Sequence, residues 1–244
     1  MIQLTAGLNH VTILPERGAI VSAWRYDGRR IFYEDEAVKT VRIIRAGMPV
    51  LFPLCGDLPG ERYQFHETEY NMNRHGFARD LAWNVCAESE SEVTLQLTET
   101  ADTLALYPFS FCCTICYSLT EEGLTVTFKV RNDSEMFMPY QIGFHPYFAT
   151  KNKTLVSSAI DWSQEVTEVN TLNNQLLEVQ LDHLHIGLHD LTGFTHFVTW
   201  SLPDKHFICV EPWLGTPGML GTPNCPSIAP KETRTHSFRL VVTK

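Results

Sequence analysis

Apolar and polar residues alternate in short runs from one end of the chain to the other. Phe109, Phe111, Cys113, Ile115, Tyr117 and Leu119 would line one face of a strand, and Ser110, Cys112, Thr114, Cys116 and Ser118 the other. After Glu121-Glu122-Gly123 the pattern resumes with Leu124, Val126, Phe128 and Val130 against Thr125, Thr127 and Lys129. A period of two is the pleat of a half-buried strand, so these runs predict an antiparallel hairpin. Val93, Leu95 and Leu97 repeat the pattern, as do Phe238, Leu240 and Val242. Asp27-Gly28 joins two more strand-like runs, and that dipeptide suits a tight hairpin turn. No segment keeps a helical period with caps. Many short strands at roughly 8–12-residue spacing predict an all-β sandwich or barrel. No linker rich in Gly, Ser or Pro divides the chain, so one domain over residues 1–244 is expected. Residues 151–174 are polar and are expected to form short strands and loops.

Four places depart from this pattern. Residues 63–70 read as a strand and residues 81–86 as another, and between them stands Arg74-His75-Gly76-Phe77-Ala78-Arg79. Gly76 allows a close backbone approach that a β-carbon would block. His75 can titrate or donate near neutral pH. Arg74 and Arg79 suit the oxygens of a sugar, carboxylate or phosphate. Read alone, the six residues also fit a charged surface turn. Phe207-Ile208-Cys209-Val210 is apolar on both faces, and Glu211 follows at once, then Pro212 and Trp213. A carboxylate beside a buried strand end is costly without a partner or a task, and burial would raise its pKa. The bland alternative is a glutamate that reaches solvent. His145 lies in the apolar and aromatic run Tyr140–Phe148, where Pro146 restrains it to extended backbone. Taken alone, it also fits a satisfied core histidine. Arg45-Ala46-Gly47-Met48-Pro49 places an arginine at a glycine bend before buried sequence.

Composition narrows the possible partners. The 244 residues are enough for a sizeable core, and 44% hydrophobic content is that of a globular protein. A formal charge of −9 argues against nucleic acid or an anionic membrane surface as partner. Arginines grouped within an acidic chain then point to a small anionic or hydroxylated ligand. No apolar stretch approaches transmembrane length, and no secretory signal is visible in residues 1–15. Seven cysteines show no disulfide framework, and a reducing cytoplasm is expected. Cys113 and Cys116 would face opposite sides of one strand, so they make a poor metal or redox pair, and with Cys112 they read as core thiols. His183-x-His185, with His189 nearby, is a weak metal motif that no Cys or carboxylate set completes.

Together, Arg45-Ala-Gly-Met-Pro, Arg74-His75-Gly-Phe-Ala-Arg79, Gly143-Phe-His145-Pro-Tyr-Phe and Val210-Glu211-Pro-Trp resemble the aldose 1-epimerase (galactose mutarotase-like) family. The opening Leu14-Pro15 and Arg17-Gly18-Ala19 are also similar, and the similarity weakens over residues 151–189. The resemblance implies a large antiparallel β-supersandwich. It implies an enzyme that interconverts the α and β anomers of an aldose by opening and reclosing the ring. It places the base at Glu211 and the acid at His145, on opposite sides of a pyranose, with His75 binding substrate near the ring oxygen. Arg45, Arg74, Arg79 and Trp213 become substrate-binding candidates, and weak local similarity adds Asp182. No metal or organic cofactor is expected, because only protons move. Arg45-x-Gly-x-Pro and His75-Gly-Phe-Ala-Arg79 also resemble the hexose-6-phosphate 1-epimerase branch, whose arginines clamp a phosphate. Ala46 departs from that branch, so a free sugar is the first expectation and a sugar phosphate the second. A non-catalytic carbohydrate-binding sandwich is a third, though binding alone needs no paired acid and base. The partner is thus a small sugar, taken up by a monomer or homodimer.

Overall fold

Antiparallel pairing organises the chain in the computed structural model, which describes residues 1–40, 44–155, 161, 163–173 and 177–243. The largest sheet has eight strands. In spatial order they are Thr154–Leu155, Leu177–Gln180, His185–Thr192, Thr233–Thr243, Gly123–Asn132, Phe111–Leu119, Glu92–Thr98 and Asn84–Glu88. The predicted hairpin lies within it, with Ile115 opposite Phe128. Its apolar set is buried, while Thr114, Cys116 and Ser118 are half-buried on the other face. The pleat therefore sorts these side chains as their alternation predicts.

A second sheet has the order Val166–Thr171, His196–Ser201, Phe207–Trp213, Gly143–Phe144 and Val50–Leu51. Tyr147–Ala149 also pairs with Phe207–Trp213. Phe144 joins the two large sheets, its ring 5.0 Å from Phe238 and 6.3 Å from Phe128. Such edge-to-face aromatic packing adds to the area the rings bury. A third sheet is formed in sequence order by Ile2–Ala6, Asn9–Leu14, Ile20–Tyr26 and Arg29–Arg30. Asp27 (φ 49°) and Gly28 (φ 73°) make its last turn, both in the left-handed region that a two-residue hairpin needs. The Tyr117 hydroxyl donates to the Ala19 carbonyl (2.9 Å), tying this sheet to the eight-stranded one. The result is an all-β antiparallel sandwich with the apolar core between its sheets.

Several local expectations change. Residues 63–70 form two strands, Arg62–Phe65 and Thr68–Asn71, because the chain reverses at His66 (φ 53°). The strand expected over residues 81–86 is Asn84–Glu88. It is an exposed sheet edge, so its apolar pattern is weak. A short helix, Ala101–Leu106, was not foreseen. Thr100 caps it, accepting from the Thr103 N–H at 3.2 Å. Six residues are too few to display a helical period. Cys112 and Cys113 are buried on opposite faces, but Cys116 is only half-buried and so is not a core thiol. The expected loops and strands of residues 151–174 include Thr154–Leu155 and Val166–Thr171, while 156–160, 162 and 174 lie outside the described residues. Among the described residues no helix is long and apolar enough to cross a membrane.

Candidate active site

Strand parity and register build the site. Along Phe207–Trp213, Ile208 and Val210 enter the main core, while Phe207, Cys209, Glu211 and Trp213 turn to the other face. Opposite them, Phe144 and Phe148 face the core, and Tyr147 joins the other face. Gly143 pairs with Trp213 and Tyr147 with Cys209. Midway between those pairs, the same register sets His145 against Glu211. The contact is direct: His145 Nε2 lies 3.3 Å from Glu211 Oε1. Both residues are buried. The expectation of opposite sides is thus corrected, because antiparallel partners on one face must be neighbours.

Adjacent segments hold these two groups. The Gly47–Pro49 backbone continues the ladder beside them, with the His145 N–H donating to the Pro49 carbonyl (3.0 Å) and the Tyr147 N–H to that of Gly47 (2.8 Å). Gly47 has φ 63°, and a β-carbon there would stand 2.3 Å from the Val21 carbonyl oxygen. Trp213 Nε1 donates to Glu211 Oε2 at 3.1 Å. The Tyr147 ring stacks on His145 with centroids 4.5 Å apart, and its hydroxyl donates to the Ile44 carbonyl (3.1 Å). Trp200 stands edge-on to His145 at 5.7 Å, and its Nε1 donates to Glu165 Oε1 (3.0 Å).

The loop carrying His75 is docked by its backbone. His75 (φ 68°) and Gly76 (φ 71°) are both left-handed. A β-carbon on Gly76 would lie 2.2 Å from the Phe52 carbonyl oxygen, the close approach anticipated for this glycine. That oxygen accepts from the N–H groups of Phe77 (3.0 Å) and Ala78 (3.1 Å). The Gly56 N–H donates to His75 Nδ1 at 3.1 Å. Burial, with His145, Arg79 and Arg74 nearby, lowers His75 well below the ordinary histidine range. His75 is therefore neutral, with its proton on Nε2, a hydrogen-bond donor.

These groups line a cavity of about 370 Å³, of the size of small-molecule sites, together with Arg45, Arg74, Arg79, Glu61, Asp80 and Glu165. Arg45 makes no hydrogen bond or ion pair among the described residues. Arg79 Nη2 donates to the Arg74 carbonyl (2.8 Å), but its buried Nε has no hydrogen-bond partner. Asp80 Oδ2 lies beyond hydrogen-bond reach of it at 3.8 Å. Arg74 meets Asp57 at 3.4 Å in an exposed pair.

Asp182 does not join them. It lines a separate cavity of about 340 Å³ with Arg29, Arg30, Lys151, His183 and His206. It lies between strands of the eight-stranded sheet, whereas the other candidates surround the second sheet. Its Oδ1 accepts from the Lys151 N–H at 3.2 Å. His185 of the H-x-H motif is engaged by Glu178 (2.9 Å). Sequence reasoning missed Trp200, Glu61, Asp80 and Glu165, which reach the cavity through strand register and loop packing. It also passed over Cys209, whose shared face with Glu211 was legible from the period of two.

Burial sets the protonation of the central pair. It raises Glu211 well above 4.5, a shift that the Trp213 N–H and Arg74 only partly offset. It lowers His145 to about 3, helped by Arg79 and Arg74. Both shifts favour neutral groups, so the pair holds one proton and no net charge.

The chain matches the family model described as aldose 1-epimerase over residues 1–198. It is 27% identical over 240 residues to the plasmid-encoded protein LacX of Lactococcus lactis, covering 76% of this chain and 79% of that one. It superposes on the crystal structure of the Slr1438 protein from Synechocystis sp. PCC 6803 with a TM-score of 0.94 and 25% identity, covering 99% of this chain and 95% of that chain. A galactose mutarotase-like protein from Lactobacillus casei shares the fold, with a TM-score of 0.79, 22% identity and 99% coverage of both chains.

Glu211→Gln tests the burial account through stability. Glutamine keeps the shape, with an oxygen for Trp213 and an N–H for His145. The folded pKa of Glu211 lies above the unfolded value near 4.5. Its contribution is complete below that value and is lost as pH rises through the native one. Glu211→Gln should therefore raise the thermal midpoint at neutral pH, by about 2–4 °C for each kcal/mol recovered. The gain should vanish in acid below the unfolded value. An unchanged or lower midpoint at neutral pH would contradict the assignment.

Proposed function

Because the chain belongs to the aldose 1-epimerase family, we propose that it interconverts the α and β anomers of a hexose, with Glu211 and His145 exchanging protons with the sugar. Family membership makes it an isomerase-type enzyme with a small sugar as its partner. The observation that carries the proposal is the buried 3.3 Å contact between the carboxyl and the imidazole at the cavity. The ring oxygen and the anomeric hydroxyl are bonded to the same carbon. An acid and a base that touch each other can therefore serve both from one side.

The protons balance within the pair. In the reactive form Glu211 is a carboxylate and His145 an imidazolium, one proton between them. Glu211 takes the proton of the anomeric hydroxyl, and His145 gives its proton to the ring oxygen. The C1–ring oxygen bond breaks, leaving an aldehyde and a free hydroxyl. Glu211 is now protonated and His145 neutral, the state that burial favours. Rotation about C1–C2 presents the other face of the aldehyde, and the reverse transfers close the ring as the other anomer. The pair holds one proton before and after, so neither metal nor organic cofactor enters a step. A positioned acid or base contributes typically about 10²–10⁴-fold. His75, a donor at Nε2, binds substrate near the ring oxygen. Trp213 orients the Glu211 carboxyl, and Trp200 offers an aromatic wall to a sugar's C–H face.

Charge around the cavity favours an uncharged sugar. Arg45, Arg74 and Arg79 stand against Glu61, Asp80 and Glu165, three charges of each sign, while the central pair is neutral. The Nε of Arg79, which has no hydrogen-bond partner and only Asp80 at 3.8 Å, supports a second reading, a hexose phosphate whose oxygens that guanidinium would receive.

Polarimetry on fresh α-D-glucose and α-D-galactose tests the main proposal, and Glu211→Gln should lose nearly all rate while sugar still binds. A wild-type protein that binds sugar without speeding anomer exchange would be a binding module. The pH profile follows from the shared proton. The rate should stay level through 6.5, the ordinary histidine value, and fall only as pH nears about 3, where His145 gains a second proton for the pair. Its alkaline fall should lie well above 4.5, where Glu211 loses the only one. A half-maximal point near 6.5 on the acid side would show a solvent-exposed acid instead. Arg79→Ala separates the two substrates. A charge-assisted contact is worth about 1.5–3 kcal/mol, so kcat/KM on a 6-phosphorylated hexose should fall at least roughly tenfold further than on the free sugar. Equal losses would remove phosphate from this site.

A further inference from the structure

Cys209 is fully buried behind the residues that line the cavity and has no part in the reaction above. It is two residues before Glu211 on the same strand face and pairs with Tyr147, the residue stacked on His145. One ligand atom from each of His145, Cys209 and Glu211 falls within 4.8 Å of the other two, and all three residues are buried. Among the described residues this is the group of His, Cys, Asp or Glu with metal-ligand spacing.

We propose that these three residues form a binding position for a thiophilic divalent cation, Zn2+ in particular, and that its occupation shuts the site. Zinc bonds of about 2.0–2.3 Å to nitrogen, oxygen and sulfur set ligand edges of about 3.3–3.6 Å in a tetrahedron. The His145–Glu211 edge is already 3.3 Å, so the thiol needs only a short approach. One imidazole, one thiolate and one carboxylate is a donor set that zinc accepts, with the fourth position open to the cavity that His145 and Glu211 line. Mg2+ and Ca2+ demand oxygen ligands and find one side chain of that kind here.

Charge supports the same assignment. Zn2+ with one thiolate, one carboxylate and a neutral imidazole sums to zero, which a buried site tolerates as well as it does the shared proton. Binding forms bonds from the cation to sulfur, nitrogen and oxygen. The Cys209 thiol proton and the proton held by Glu211 and His145 leave to solvent. The pair then has nothing to donate and no free base, so anomer exchange stops. The cation position stands on its own geometry, and only the inhibition rests on the acid–base function proposed above.

Co2+ in place of Zn2+ tests the position without any sugar. Titration of the wild-type protein should produce a thiolate-to-cobalt absorption band and release about two protons per cation into weak buffer. Cys209→Ser should abolish the band and weaken Zn2+ binding by more than roughly a hundredfold, beyond the about 10–100-fold that loss of an outer ligand partner costs. Cys86→Ser, which removes an exposed thiol, should leave both unchanged. No band, no proton release, or a band undiminished in Cys209→Ser would overturn the proposal. The proton count on the wild type decides the matter even if a variant misfolds. Binding with an unaffected anomer-exchange rate would leave the cation position standing and overturn the acid–base role of the pair.

Discussion

Shutting a carboxyl and an imidazole away from water is the constraint on which this site depends. Either group alone, charged and buried, would cost several kcal/mol. Side by side they cancel that cost by holding one proton between them, and neutrality is the arrangement that burial favours for both. The same arrangement suits ring opening, because a sugar presents its two reacting oxygens on one carbon. A pair that never needs a proton from solvent can work at the floor of a cavity. The economy of charge also explains why the neighbourhood can accommodate three arginines. Burial, helped by Arg79 and Arg74, lowers both histidines, and the cavity lining balances its three arginines with Glu61, Asp80 and Glu165.

Backbone pairing, rather than side-chain packing, brings the two groups together. Phe144 faces the core and packs on Phe238 and Phe128, which obliges His145 to face the other way. Ile208 and Val210 do the same for Glu211. The apolar residues between the polar ones therefore aim the polar ones. Gly143 completes the fit: a β-carbon there would stand 2.8 Å from both the Cys55 sulfur and the Trp213 ring. The floor leaves no room for a larger residue at that point, and Trp213 keeps its reach to the Glu211 carboxyl.

The arginine loop is positioned by different means. Its two consecutive left-handed residues include His75, a non-glycine for which that conformation costs of order 1–3 kcal/mol. Hydrogen bonds from Phe77 and Ala78 to the Phe52 carbonyl, and between Gly56 and His75, hold it in place. The strain thus sits where a donor must face the cavity, and ordinary ladder bonds maintain it. The arginines around it are less constrained. Arg74 is exposed, and Arg45 is exposed without a partner among the described residues, so charge at the rim can answer to what the cavity holds.

Much was legible in the sequence because it is local. The alternation from Phe109 to Leu119 names the buried face of a strand without reference to any partner, since the pleat depends only on successive residues. Glu211 announced itself as a carboxylate directly after an apolar run, and His145 as an imidazole among aromatics before a proline. Contact between them was not legible, nor was the wall formed by Trp200, because register joins residues far apart in the chain. Asp182 failed for the same reason: its neighbours in sequence resembled a site segment, while its strands belong to another sheet. The chain by itself determined that short strands recur along it, which of their faces are apolar and which polar groups are out of place. Only the tertiary structure decided which of those groups meet, because hydrogen-bond register between distant strands follows from the packing of the whole sandwich.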